Sequence, residues 1–372
     1  MTGYYAFLPN PLPPRINYDR NLSFLLSEAA RLLGDLSGTG RLLPNPYLLI
    51  SPYIRREAVS SSAIEGTLTS LSDLFFFEAA EPEKPKVPDV REVKNYVRAM
   101  EYGIGRLDEL PICIRLVREI HKVLMEGVRG EDMTPGELRR KQNWIGPPGC
   151  TLNEATFIPP PVQEMNDALS SWEAYLHSNP KEPPLIQCAL MHYQFEAIHP
   201  FLDGNGRIGR LLITFFSCER GLLSQPLLYL SAFFEKYREE YYSRLFAVSQ
   251  KGDWRGWIEF FLRGVANQAQ EAISDAIKIL ELHAEYQEIL KGTKKIPECA
   301  HMLVDEIFLN PYISISRLSK RWNRSFNSVK SGVMRLVRIG ILREALKRKR
   351  NRIFCAPKLL DLLTVNDKNK RL

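Results

Sequence analysis

The chain has 372 residues, 45% hydrophobic and 25% charged, with a formal net charge of +7; that is enough for a substantial core and for two or three domains. No apolar run approaches the ~20 residues of a membrane-spanning helix, and no basic segment followed by an apolar one opens the chain, which argues against a membrane anchor or a secretory leader and for a cytoplasmic location. Six scattered cysteines without paired spacing, and six histidines without ligand spacing, argue against a disulfide frame or a zinc site.

Residues 1–17 are rich in Pro, Tyr and Leu, and Pro11, Pro13 and Pro14 forbid a helix, so an extended surface arm is expected. Apolar residues at 22, 25, 26, 29, 32, 33 and 36 describe an amphipathic helix ended near Gly38 and Gly40. A second helix covers 47–64, with its start near Ser51-Pro52, and closes on Ser61-Ser62-Ala63-Ile64-Glu65-Gly66. Gly66 reads as its cap. Glu65 faces the negative end of the helix dipole there and needs a compensating partner. A Pro/Glu/Lys linker follows over 81–88, then helical periodicity at Val90, Val93, Val97 and Met100, and again over 112–124. Arg139–Gly146 and Phe157–Pro161 are short apolar segments around Pro147-Pro148-Gly149 and predict a β-hairpin.

Helices over 162–176 and 184–198 lead into His199-Pro200-Phe201-Leu202-Asp203-Gly204-Asn205-Gly206-Arg207-Ile208-Gly209-Arg210. Helical spacing resumes with Ile208, Leu211, Leu212, Phe215 and Phe216, so this stretch reads as helix, tight loop and helix start. Glycines let the loop backbone approach a ligand, and free amides at the helix start point at an anion. Arg207 and Arg210, three apart, share a face and can flank a polyphosphate. Asp203 makes sense beside them if it holds Mg²⁺, which ligates carboxylate and phosphate oxygens together. His199 can take a proton from an incoming hydroxyl.

These twelve residues resemble the Fic family motif, His-x-Phe-x-(Asp/Glu)-Gly-Asn-Gly-Arg-x-x-Arg, at every fixed position. The resemblance covers roughly residues 50–250 and implies a protein adenylyltransferase, which moves AMP from MgATP to Ser, Thr or Tyr hydroxyls of proteins. It casts His199 as general base, Asp203 as the Mg²⁺ ligand, and the amides of Gly204–Gly206 with Asn205 as stabilisers of phosphate charge. Arg207 would bind the β-phosphate region and Arg210 the γ-phosphate. Phe201 would anchor the loop in the core. Ser61, Glu65 and Gly66 resemble the family's inhibitory motif, (Ser/Thr)-x-x-x-Glu-(Gly/Asn), whose glutamate pairs with the second arginine, here Arg210, and blocks the γ-phosphate in cis. The hairpin resembles the flap that registers a target's backbone, with Ile145, Phe157 and Ile158 as contacts. Tyr242, in the aromatic and charged helix over 231–242, is the residue expected beside the adenine.

Helices over 254–266 and 269–290 continue the bundle. Residues 301–372 carry 17 Lys/Arg against 5 Asp/Glu, a balance of +12, while the other 33 basic and 38 acidic residues leave 1–300 at −5. Helices over 302–309, 314–322 and 325–339, the last opened by Ser325 as N-cap, precede Gly340-Ile341-Leu342 and Arg352-Ile353-Phe354, which bracket a basic Lys347–Asn351 wing. This resembles a winged helix-turn-helix, with Arg317, Lys320, Arg321, Arg324 and Lys330 near a phosphate backbone. The expected architecture is all-α: an inhibitory helical region over 1–110, a Fic core with a hairpin flap over 111–250, a helical connector over 251–300 and a winged helix-turn-helix over 301–372. The alternative readings are removal of AMP at the same site, use of another nucleotide, and a DNA-binding regulator whose core senses nucleotide. Family precedent is compatible with self-modification and a homodimer.

Overall fold

The computed structural model describes residues 3–42, 45–80, 89–128, 133–147, 149–178, 180–294, 296–345 and 352–368. The expected linker over 81–88, Pro148 of the hairpin turn and the basic run Lys347–Asn351 lie outside the described residues. The fold is mostly helical. Its elements are α1 (Arg20–Leu42), α2 (Tyr47–Ile64), α3 (Leu71–Ala80), α4 (Val90–Arg106), α5 (Ile114–Leu124), α6 (Val162–His177), α7 (Pro184–Ile198), α8 (Asn205–Glu219), α9 (Ser231–Lys236), α10 (Arg238–Lys251) and α11 (Trp254–Gly292). The C-terminal module adds α12 (Cys299–Leu309), β1 (Tyr312–Ser314), α13 (Ile315–Arg321), α14 (Phe326–Arg338), β2 (Arg343–Glu344), β3 (Ile353–Cys355) and α15 (Pro357–Lys368). Among the described residues no helix is long and apolar enough to cross a membrane.

The centre of the core is α7, buried on every face from Leu185 to Ile198 save at Glu196, with α8 packed beside it and buried almost as fully. Two indoles hold α7 from opposite neighbours: Trp172 of α6 donates to the Met191 carbonyl at 3.1 Å, and Trp257 of α11 donates to the Ala189 carbonyl at 2.9 Å. The loop joining α7 to α8 therefore hangs between two fixed rods.

Several elements depart from expectation, each for a local reason. Helix α1 runs through Gly38 and Gly40 instead of stopping there. Added bulk at Gly40 would meet Leu227 at 3.0 Å, and Ser37 bonds Ser224 through both its hydroxyl and its carbonyl, so packing at Ser37 and Gly40 carries the helix onward. The helix expected over 231–242 breaks into α9 and α10 at Tyr237, whose φ of −112° and ψ of 42° leave the helical region. The two segments expected over 254–290 are one helix of 39 residues, since nothing between them breaks a helix. Among the described residues the hairpin shrinks to a single antiparallel bridge between Ile145 and Phe157, and its far end winds into a short 3₁₀ turn over Leu152–Glu154.

In the C-terminal module the three strands pair antiparallel in the order β1-β3-β2, and Ser325 caps α14 by accepting from the Ser328 amide. Neither β1 nor α15 was expected. The module is fastened to the N-terminal helices: the Ser51 hydroxyl donates to the Leu309 carbonyl at 2.9 Å, and Asn310 Nδ2 donates to the Phe75 carbonyl at 3.0 Å. Three of the five cations expected to face a phosphate backbone hold protein instead. Arg317 donates to the Glu78 carbonyl, Arg321 pairs with Glu306, and Arg324 reaches both oxygens of Glu298; Lys320 and Lys330 face solvent.

Candidate active site

The loop between α7 and α8 is built by its own side chains. His199 ends α7 in the left-handed region at φ 51°, an uncommon conformation for a non-glycine residue, and Gly204 opens α8 at φ 80°. Asn205, 2% exposed, accepts from the Phe201 amide at 2.8 Å and donates to the Phe201 carbonyl at 2.9 Å, which closes the loop on itself. The Asn205 side chain is thereby engaged within the loop. The amides of Asn205, Gly206 and Arg207 begin α8 and lack the i−4 carbonyls of a helix interior. Phe201 is fully buried and lies flat on the His121 imidazole, with ring centroids 3.8 Å apart.

His121, absent from any sequence motif, holds the loop from below. It accepts from the Gly136 amide at Nδ1, so Nε2 carries the proton and donates to the Asp203 carbonyl at 3.0 Å. Burial pulls its pKa down to about 4, which keeps it neutral. Arg139 and Asn143 hold the loop from the flap side. Arg139 Nε and Asn143 Nδ2 donate to the His199 carbonyl at 3.0 and 3.2 Å, and Asn143 also reaches the Phe201 carbonyl. Arg139 also bonds the Pro160 carbonyl, tying both arms of the flap to the loop.

The His199 imidazole is partly buried. Its Nδ1 lies 3.2 Å from the Glu196 carbonyl, an acceptor, so Nδ1 carries the proton and Nε2 holds a free lone pair. Burial lowers its pKa to about 4, against the opposing pull of the Glu196 carbonyl and Glu65, so the base form prevails at neutral pH. The Glu196 carboxyl is pushed up to about 7 by burial, with Arg210 opposing, and its Oε1 has no hydrogen-bond partner among the described residues.

The two arginines face different ways. Arg207 turns toward α4 and α5, 3.5 Å from Asp203 Oδ1 and 3.7 Å from Glu92 Oε2, with Met125 Sδ at 3.6 Å. Arg210, whose side chain is 1% exposed, turns toward the end of α2. It donates from Nε to the Ser61 hydroxyl at 2.8 Å and from Nη2 to the Ser61 carbonyl at 3.0 Å and Glu65 Oε1 at 2.7 Å. Burial opposes ionisation of Glu65, but Arg210, helped by Arg207, outweighs it and holds the carboxyl below its ordinary value. Gly66, at φ 89°, caps α2 immediately beyond. Bulk at Gly206 would meet Glu65 Oε1 at 2.4 Å, so the carboxylate lies directly over the first turn of α8.

Asp203 is half exposed and accepts from the Gly204 amide at 2.6 Å. Among the described residues no three His, Cys, Asp or Glu side chains gather to cage a metal. A single open carboxylate fits an ion such as Mg²⁺, which keeps waters and shares phosphate oxygens. Tyr242 lies on α10 with Arg238 stacked on its ring, near enough to Glu65 and Arg210 to feel both charges; burial raises its pKa, with Glu65 adding to the rise. The structure thus gathers Ser61, Glu65, Gly66, His199, Asp203, Gly204, Asn205, Gly206, Arg207, Arg210 and Tyr242 around one loop. It adds Glu92, His121, Arg139, Asn143 and Glu196, which no local pattern marks.

Residues 24–105 match the Fic/DOC family N-terminal region and residues 111–217 match the Fic/DOC family itself. The protein adenylyltransferase Fic of Drosophila erecta is 27% identical over 177 residues, and that of Drosophila melanogaster 26%; the match covers 47% of this chain and 32% of each relative. Among solved structures, a Fic family protein from Desulfovibrio desulfuricans shares the fold over 93% of this chain and 98% of its own, with a TM-score of 0.59 at 19% identity. Fic-1 (residues 134–508) of Caenorhabditis elegans does so over 69% of this chain and 73% of its own, with a TM-score of 0.52 at 21% identity. The motif loop, the two helices that carry it and the helical region ahead of them all point one way: the chain belongs to the Fic/DOC family.

Proposed function

We propose that the chain is a protein adenylyltransferase that moves AMP from MgATP to a Ser, Thr or Tyr hydroxyl of a protein, and that Glu65 restrains it in cis. The observation that carries this reading is the seat of the Glu65 carboxylate. It lies on buried Arg210 and over Gly206, where a guanidinium and the first amides of α8 together call for an anion. The name borne by the curated relatives supports the same activity.

In this reading the acceptor hydroxyl gives its proton to His199 Nε2, and its oxygen attacks the α-phosphorus. The bond from that phosphorus to the β-bridging oxygen breaks, and pyrophosphate leaves. The amides at the start of α8 receive the charge that builds on the phosphate. Asp203 would hold Mg²⁺, which supplies charge neutralisation between the phosphates. Arg207 serves the β-phosphate region, Arg210 the γ-phosphate once Glu65 has left, and Tyr242 flanks the adenine. The flap around Ile145, Phe157 and Ile158 registers the backbone of the target. We read residues 301–372 as a winged helix-turn-helix, whose described elements bond α2 and α3.

The test is transfer of label from ATP labelled on the α-phosphate, with Mg²⁺. Wild type is expected to label weakly, Glu65→Gly strongly, and Glu65→Gly/His199→Ala not at all. Equal labelling by the first two proteins would overturn the restraint, and label that survives loss of His199 would overturn its role as base.

A further inference from the structure

Arg207 and Arg210 lie one turn apart on α8 and are both buried, yet they are held in different ways. Arg210 closes three hydrogen bonds of 2.7 to 3.0 Å onto oxygens. Among the described residues Arg207 closes none. Its Nε has no partner, Nη2 lies 3.5 Å from Asp203 Oδ1 and 3.6 Å from Met125 Sδ, and Nη1 lies 3.7 Å from Glu92 Oε2. Charge-assisted N–H···O bonds run at about 2.7–2.9 Å, so both carboxylates stand beyond bonding distance. A buried guanidinium in this state is held by charge on either side of it rather than by closed bonds.

The two carboxylates are not equivalent. Asp203 belongs to the motif loop, its side chain is 45% exposed, and its Oδ1 accepts from the Gly204 amide. Glu92 comes from the first turn of α4, and its side chain is 8% exposed. The fold fixes that turn in place. Asn95, one turn on, donates from Nδ2 to the carbonyls of Leu124 and Glu126, on either side of the Met125 that also touches Arg207. Glu92 lies within residues 24–105, which match the family's N-terminal region, and outside residues 111–217, which contain the motif.

We propose that Glu92 is a positioning residue for Arg207: it is the standing counter-charge of that guanidinium, and in that role it leaves the Asp203 carboxylate free for the Mg²⁺ of a bound nucleotide. The inference rests on the adenylyltransferase reading and adds to it a residue from outside the motif. The logic is a competition. A guanidinium drawn by two carboxylates closes on neither. With Glu92 neutral, the pull of Asp203 is unopposed, and Arg207 closes on it before the metal arrives. With Glu92 charged, a metal that takes Asp203 does not strand Arg207 as a buried, unpaired cation.

The experiment uses the full chain carrying Glu65→Gly, alone and with Glu92→Gln, Asp203→Asn or both. Each protein is titrated by calorimetry with an ATP analogue whose α,β-bridge is methylene, once in Mg²⁺ and once in EDTA. Glu92→Gln is expected to weaken binding about fivefold or more in Mg²⁺ and less than about twofold in EDTA. On top of Asp203→Asn it should add less than about twofold in Mg²⁺, because the carboxylate it protects is already gone. The EDTA arm separates this outcome from a general loosening of the fold. Equal weakening in Mg²⁺ and in EDTA makes Glu92 a support of the fold alone. No weakening in either, or a loss that adds in full to that of Asp203→Asn, removes it from the site. Each of these overturns the proposal and leaves the transferase reading standing. Failure of Glu65→Gly to bind the analogue under either condition overturns both.

Discussion

Helix α2 carries Glu57, and Glu65 caps its end about two turns on; the structure treats the two glutamates in opposite ways. Glu57 is 2% exposed and accepts from the Tyr96 hydroxyl and from both the amide and the hydroxyl of Ser231, so it fixes α2 to α4 and to the start of α9. Glu65 has a side chain 38% exposed and is held by one guanidinium. A buried carboxylate with every partner in place is a permanent fastening, because each group it abandons would be left dry and unpaired. A half-exposed carboxylate with one partner leaves fewer groups unpaired when it goes, although the buried guanidinium it abandons still makes the move costly. The difference between a clamp and a latch here is the count of partners and the reach of solvent.

The comparison is broken most strongly by removing the latch. In the proposed restraint a bias of ~3 kcal/mol toward the paired state would hold the competent state below about one per cent, so Glu65→Gly should raise labelling on the order of 100-fold. Its thermal midpoint should stay close to that of wild type; a large fall would make Glu65 a second clamp. Removing the clamp has the next largest effect. Glu57→Ala strands the Ser231 amide and the Tyr96 hydroxyl and should cost about 3 kcal/mol in urea-induced unfolding. A cost below ~1 kcal/mol would contradict the role given to it. Ser61→Ala sharpens the picture further. The Ser61 hydroxyl is buried and bonds Arg210, and that bond survives a swing of the Glu65 side chain alone. The substitution should cost about 1 kcal/mol and change labelling less than ~3-fold; a rise like that of Glu65→Gly would mean that α2 itself moves.

The smallest expected effect is that of pH. The folded Glu65 carboxyl titrates below its ordinary value, so its contribution is fully present above roughly pH 4.3 and is lost only as pH falls through the lowered value. The ratio of Glu65→Gly to wild-type rates should therefore be flat between about pH 6 and 8. A ratio that drifts across that window would place another titrating group in the latch, and Glu196, pushed up to about 7, would be the first to replace by Gln.

What the sequence made legible follows the same division between local and distant. The motif loop was readable because its chemistry is contiguous from His199 to Arg210 and the helical spacing on both sides is unambiguous. Ser325 was readable as a cap because capping is decided within one turn. The supports of the loop were not. Arg139 meets the His199 carbonyl across 60 residues and His121 meets Asp203 across 82, and no local pattern records such pairings. Element ends failed where packing overrode propensity: Gly38 and Gly40 read as a stop but lie inside α1, and Tyr237, with no breaker character, separates α9 from α10. The flap was read as a hairpin of two strands, yet its Pro/Gly content leaves room for a single bridge.

Gly206 gives the latch a further meaning. Added bulk there would meet Glu65 Oε1 and Arg210 Nη1, so the carboxylate and the guanidinium together fill the small volume above the first turn of α8. In the proposed restraint Glu65 acts as a competing ligand carried on a tether, and its potency would be an effective concentration set by how firmly α2 is held rather than by how much protein is present. Dilution cannot weaken such a competitor. On the same proposal, loosening α2 would, and the Ser51 bond to the Leu309 carbonyl of the C-terminal module is one place where that helix is held.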